Sequence, residues 1–217
     1  MPWLIREKTG EKRVIEHPWY TLRQAVTDIP WQRSSATKTL ALMAFSLICA
    51  YDIETVVEIG VADGFSTDML ARALRTSSFY RDEMKLLVSI DNKQRCIDYI
   101  KEKNYSYIKH VPLCMKSTDL DFRNNFLFSE IGLSFIDGDH RYEVVKQDIE
   151  NCASVTKKYG FILLHDHHPR SNSGVIQATK EFLEEKGKTW SKFYLPENKT
   201  TADYDSVILQ FQGEENV

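Results

Sequence analysis

Glycine and proline are scarce in this 217-residue chain, at 9 and 6 copies, which excludes collagen-like and low-complexity architecture. An excess of charge is missing as well. Lys and Arg number 28 against 31 Asp and Glu, for a formal net charge of -3, so the chain is not a nucleic-acid binder working through a general basic surface. Paired cysteines are absent: Cys49, Cys96, Cys114 and Cys152 lie far apart with no CxxC spacing and read as small hydrophobes in a reducing compartment. Met1 to Arg13 runs straight into charges without the apolar stretch of a signal peptide, so the expected location is cytoplasmic. The longest apolar run, Leu40 to Tyr51 with Ser46 inside it, falls well short of the ~20 residues that span a bilayer and reads as a buried helix, with no membrane partner.

What is present, 42% hydrophobic and 27% charged residues, suits one ordinary domain with its own core. One feature is uneven. Of the 6 histidines, four are His140, His165, His167 and His168.

From about residue 55, short β-branched runs alternate with longer amphipathic segments, the pattern of a parallel α/β sheet. Strands are expected at Thr55–Ile59, Leu86–Ile90, Tyr105–Val111, Leu133–Ile136 and Phe161–Leu164, with helices at Ser66–Arg75, Lys93–Lys103, Tyr142–Val155 and Gly174–Lys186. Two further strands, Trp190–Leu195 and Asp205–Phe211, have no crossover helix between them and should form an antiparallel hairpin at the sheet edge. The expected fold is therefore a Rossmann-like, doubly wound sheet of seven strands, mostly parallel. Ahead of it, Thr37–Tyr51 reads as a helix that Ser34 or Ser35 could cap. Residues 1–33 hold Trp3, Trp19 and Trp31 without clean periodicity and read as an extension packed on a domain of residues 34–217. Trp19, Tyr20 and Trp31 are open to two readings, as a substrate wall or as anchors of the extension or of a subunit contact in a homo-oligomer.

Glu58-Ile59-Gly60-Val61-Ala62-Asp63-Gly64 joins the first sheet strand to its helix. A glycine there allows a tight turn and close approach of a ligand to the backbone, and the helix that follows offers free N–H groups. Ala62 stands where the dinucleotide fingerprint has a glycine, which disfavours an NAD-dependent oxidoreductase. Asp91 ends the second strand, where a carboxylate can accept both ribose hydroxyls of a nucleoside. Val56 to Ser66 resembles motif I of class I S-adenosylmethionine-dependent methyltransferases, and Ser89-Ile90-Asp91 resembles their second motif. That resemblance implies S-adenosylmethionine as cofactor, Glu58, Gly60, Ala62 and Ser66 near its methionine part, Asp91 on the ribose, and an adenine contact near Met115-Lys116-Ser117.

The fourth strand ends in Asp137-Gly138-Asp139-His140-Arg141-Tyr142 and the fifth in His165-Asp166-His167-His168. In a parallel sheet both segments emerge at the same edge, so two clusters of acids and imidazoles converge beside the expected cofactor. Asp137, Asp166 and His167 have the chemistry of metal ligands, for Mg or a transition metal, leaving Asp139, His140, His165 and His168 as bases, outer partners or bystanders. The Asp-Gly-Asp-His segment with Tyr142 and Asp148 downstream, and Gly174-Val175 before a helix, resembles the branch of macrolide-sugar and aminocoumarin-sugar O-methyltransferases and cephalosporin-hydroxylase-like proteins. Related enzymes imply a base two or three residues after the first ligand, hence Asp139 or His140, and the ordinary imidazole pKa of about 6.5 favours His140.

The expectation is thus a divalent-cation-assisted O-methyltransferase acting on a hydroxyl of a small molecule, a sugar or natural product. Arg141 and Arg170 could meet an anionic acceptor. The rivals are a metal-independent methyltransferase with His140 or His167 as base, a metal-dependent hydrolase built on the His/Asp cluster, and a domain that binds cofactor without catalysis.

Overall fold

Strands buried on both faces read as nearly unbroken apolar runs, and here they make the middle of the sheet. A computed structural model of the chain describes residues 3–6, 12–15, 38–78, 84–125, 128–168, 174–196 and 204–213. Two compact units are distinguished, Met1–Arg33 and Ser34–Val217. Within the first, β1 (Trp3–Arg6) and β2 (Lys12–Ile15) pair antiparallel with Trp3 opposite Ile15, a hairpin that the absence of periodicity had concealed. Trp19, Tyr20, Trp31, Ser34, Ser35 and Arg170 lie outside the described residues.

The second unit begins with α1 (Lys38–Ala50), then β3 (Thr55–Ile59), α2 (Phe65–Ser78), β4 (Leu86–Asp91), α3 (Gln94–Glu102) and β5 (Lys109–Cys114). A short 3-10 turn (Ser117–Asp119) follows, then β6 (Ile131–Ile136), α4 (Tyr142–Ala153), β7 (Thr156–Leu164), α5 (Val175–Lys186), β8 (Trp190–Pro196) and β9 (Tyr204–Phe211). The seven strands lie in the order β5-β4-β3-β6-β7-β9-β8. The first five run parallel, and β9 is antiparallel to both β7 and β8. This is the Rossmann-like, mostly parallel sheet with a terminal antiparallel hairpin that the alternation of runs anticipated. All six residues of β6 are buried, and the α2 stripe of Met69, Leu70, Ala73 and Leu74 packs inward. Among the described residues no helix is long and apolar enough to cross a membrane, and all four cysteines are free.

One strand is displaced from its expected place. Tyr105 to Ile108 forms a turn, with the Ser106 N–H bonded to the Asn104 side chain at 3.0 Å and the Ile108 N–H to the Tyr105 carbonyl at 3.0 Å, so β5 starts only at Lys109. Tyr105, which had looked like a strand residue, is a buried anchor whose hydroxyl bonds Asp68 on α2. Strand β7 starts earlier than expected, because Thr156 already pairs with Ile131 across a register shift. The C-terminal end of β5 accordingly moves from Val111 to Cys114, while β7 still ends at Leu164.

Asp148 on α4 is 1% exposed, and neither of its carboxylate oxygens has a partner in hydrogen-bonding geometry. Burial pushes its pKa up to about 7 against the opposing pull of the nearby Ser117 hydroxyl. The folded chain then keeps a proton that the unfolded chain, with a carboxyl pKa of about 3.9, has already released. Stability from this group is full below about pH 4, falls as pH rises towards 7, and stays low above. Asp148→Asn should therefore gain stability over the wild type at pH 8, by up to about 4 kcal/mol, and little at pH 4. Urea unfolding at the two pH values checks this. A difference between the proteins that does not change with pH would contradict it.

Candidate functional site

The parallel strands bring the C-terminal ends of β3, β4, β6 and β7 to one edge, and the strand order reverses between β3 and β6. Open α/β sheets bind ligands at such a point. The loop leaving β3 turns there. Gly60 has φ +92, and a Cβ on it would lie 2.1 Å from the Asp137 carbonyl oxygen, so only glycine lets the two strand ends close up. Ala62 adopts φ +46, the left-handed backbone of the glycine it replaces in the dinucleotide pattern, and Gly64 has φ +75. The Asp91 carboxylate accepts the N–H groups of Val61 at 2.9 Å and Ala62 at 3.3 Å on one oxygen, and that of Lys93 at 2.8 Å on the other. Asp91 thus holds the loop against β4, and its Oδ1, which accepts Lys93 alone, keeps a further lone pair for a hydroxyl.

Glu58 is fully buried rather than open to a ligand. It accepts hydrogen bonds from Ser66 Oγ at 2.6 Å and Thr67 Oγ1 at 2.8 Å, tying β3 to the first turn of α2. Burial pushes its pKa up to about 7, partly offset by the hydroxyls around it. Glu58 and Ser66, expected near a cofactor, are brought together and act on the loop from beneath. Ser117 is buried at the start of the 3-10 turn, just after β5, where the Met115 N–H bonds the Asp91 carbonyl at 3.0 Å.

The second half of the site is built by β6 and β7. The Asp137 N–H extends the β3 ladder to the Ile59 carbonyl at 2.8 Å, and the His165 N–H bonds the Ile136 carbonyl at 3.1 Å. Successive strand residues face opposite sides, but Asp166 leaves β7 with φ +54, and its carboxylate meets the same group of side chains as His165. His165 Nδ1 lies 3.0 Å from Asp137 Oδ1 and 3.2 Å from Asp166 Oδ2. Burial opposes a charge on His165, yet the two carboxylates outweigh it and push its pKa up to about 10. His140 Nε2 stands 3.6 Å from Asp137 Oδ1 and 3.3 Å from Asp166 Oδ2, both outside hydrogen-bonding geometry. The Asp137 carboxylate still raises the His140 pKa, and the two imidazoles keep Asp137 below the usual carboxylate range despite its burial.

One ligand atom each from Asp137, His140 and Asp166 lie within 4.8 Å of one another. Divalent cations sit about 2.0 to 2.6 Å from such atoms, so ligands on opposite sides of an ion are about 4 to 5 Å apart and the three fit. The unbonded, buried His140 Nε2 fits the same role, and His165 can donate to the carboxylates, as outer partners of ligating carboxylates do. Of the expected trio, Asp137 and Asp166 come together, and among the described residues the imidazole in the cluster with them is that of His140. His167 packs on the Tyr194 ring at 5.4 Å, and burial lowers its pKa. Asp139, foreseen as a base, is exposed and gripped by Arg141 at 2.6 Å, and that bond holds its pKa down. His165, expected as a base, an outer partner or a bystander, lies just past the end of β7 with its ring against Asp137.

A family model described as a methyltransferase domain matches residues 57–167. No curated protein matches the chain. Among solved structures, it is similar to an O-methyltransferase from Bacillus cereus in complex with S-adenosylhomocysteine, at 18% identity and TM-score 0.61, covering 88% of this chain and 90% of that one. The O-methyltransferase TomG from Streptomyces achromogenes, involved in tomaymycin synthesis and in complex with S-adenosylmethionine, is 15% identical with TM-score 0.57, over 91% of this chain and 90% of that one. An rRNA methylase from Streptococcus thermophilus is 11% identical with TM-score 0.59, over 82% and 99%. At these identities the likeness is one of fold.

Proposed function

The chain belongs to the methyltransferase-domain family, and from that premise we propose that it moves the methyl group of S-adenosylmethionine to a hydroxyl oxygen of a small molecule with the help of a divalent cation. The observation that carries this reading is the convergence of Asp137, His140 and Asp166 directly against the Gly60 turn. A cofactor seated on that turn, with its ribose on Asp91 and its base towards Ser117, would place its sulfonium carbon beside the cluster. The opening of α2 would meet the polar tail.

Methyl transfer requires an oxygen nucleophile in line with the carbon–sulfur bond. A cation on Asp137, His140 and Asp166 would supply Lewis acidity that lowers the pKa of the acceptor hydroxyl. The chain's own residues do the positioning. Asp137 and Asp166 fix the acceptor side, His165 orients both carboxylates, and Glu58 fixes the cofactor side through Ser66. The acceptor is a sugar or other hydroxylated natural product. A near-neutral chain with free cysteines suits work on such molecules in the cytoplasm.

One observation favours a second reading without the ion. His165 Nδ1 already lies against one oxygen of each carboxylate, the same two that His140 faces, and His140, its pKa raised by Asp137, would then take the hydroxyl proton directly. A hydrolase built on the same cluster leaves the Gly60 turn and Asp91 without a role. The test is to incubate the protein with methyl-labelled S-adenosylmethionine, magnesium and a panel of small hydroxylated acceptors, then locate the label by NMR. Label on oxygen is the expected result. Label on nitrogen, or transfer confined to RNA, would overturn the proposal.

A further inference from the structure

The segment that carries His140 is held at both ends by glycines. At its start the Asp137 carbonyl packs on Gly60. At its far end the Gly174 N–H donates to the His140 carbonyl at 2.7 Å, and a Cβ on Gly174 would lie 2.1 Å from the Tyr142 nitrogen and 2.2 Å from its Cα. Gly174 has φ -70 and ψ -5, a backbone that any residue adopts, so its conformation does not demand glycine. The close approach of Tyr142 does. Behind that approach, the Tyr142 hydroxyl donates to Glu181 Oε2 on α5, and Lys146 Nζ bonds both at 3.2 Å.

We propose that Gly174 is a positioning residue, which through the His140 carbonyl and the abutting Tyr142 backbone sets where His140 Nε2 stands relative to Asp137 and Asp166. The inference rests on the cation-assisted reading above and adds to it a part of the chain that touches no reactant. Admitting a methyl group at Gly174 requires the Tyr142 backbone to retreat by about 1 Å, since non-bonded carbon atoms in contact stay about 3.5 Å apart. His140, two residues away and bonded to the same amide, moves with it. Metal ligands tolerate displacements of only about 0.2 Å, so a shift of that size takes His140 out of the ligand set. Asp91 and the turn after β3 lie on other elements and are not disturbed.

Calorimetric titration of the full chain with Mn2+ and, separately, with S-adenosylhomocysteine tests this. Gly174→Ala is expected to bind Mn2+ at least about 10-fold more weakly, while its affinity for S-adenosylhomocysteine stays within about twofold of wild type. A general structural defect would weaken both. Should Gly174→Ala not fold, Tyr142→Phe breaks the link to Glu181 without a clash and should weaken Mn2+ by about threefold. Wild-type Mn2+ affinity in a folded variant overturns the proposal. If the wild type itself binds no Mn2+, the cation reading has failed, and the positioning role is decided by a crystal structure of Gly174→Ala. His140 Nε2 still at 3.3 Å from Asp166 Oδ2 would overturn it, and a displaced imidazole would support it.

Discussion

Asp166→Ala should bind no measurable divalent cation and transfer no methyl group, while keeping wild-type affinity for S-adenosylhomocysteine. Asp166 supplies one of three convergent ligand atoms, and its left-handed backbone is what turns that oxygen towards Asp137 and His140. Loss of an outer partner of a metal ligand weakens binding about 10- to 100-fold, so loss of a ligand should exceed about 100-fold. The substitution also removes one of the two carboxylates that hold His165, which leaves His165 and His140 facing Asp137 alone. The cofactor side is untouched, because Asp91 and Glu58 bond elements other than β7. The matching experiment on the wild type is EDTA, which should abolish transfer, with restoration by added magnesium or manganese. Transfer that survives both EDTA and Asp166→Ala would dismiss the ion and leave His140 as the base.

Gly60→Ala carries the second large effect, and it strikes both halves of the site at once. The new methyl group would meet the Asp137 carbonyl oxygen at 2.1 Å and its carbon at 2.5 Å, backbone atoms that cannot rotate away. It would also force a Cβ onto φ +92. Strain of this kind costs about 1 to 3 kcal/mol, and overpacking of a closed contact adds about 1 to 3 more. The variant should lose several kcal/mol in urea unfolding, and S-adenosylhomocysteine binding with it. Because Asp137 is the atom group displaced, Mn2+ binding should fall in parallel. A Gly60→Ala protein that binds both ligands as the wild type does would show that the turn after β3 and the acidic cluster are not one site.

How far the sequence leads differs between the two halves. The turn after β3 was legible because its chemistry is local: a glycine at a strand end, an acid at the next strand end and a helix start are contiguous signals. The mostly parallel sheet followed from the alternation of runs, and the missing crossover helix announced the terminal hairpin. The acidic cluster was legible as a convergence but not as a ligand set. Which of His140, His165 and His167 faces the two carboxylates depends on a single positive φ at Asp166 and on the distance at which α5 docks beneath the His140 segment. The positive φ leaves no mark in residue pattern, and the docking leaves only Gly174, whose partner Tyr142 is distant in the chain. The pairing of Asp139 with Arg141 was hidden for a related reason, since Arg141 is two residues away and meets it only in the turn the chain adopts there. Tyr105 looked like a strand residue by composition, but its long-range bond to Asp68 made it a turn anchor instead.

The measurement closest to the central claim is a calorimetric titration of the purified chain with S-adenosylhomocysteine and, in parallel, with NAD. Saturable binding of one S-adenosylhomocysteine per chain, weakened by Asp91→Ala, with no heat from NAD, is the result expected. Absence of S-adenosylhomocysteine binding under conditions where the chain is folded would contradict it.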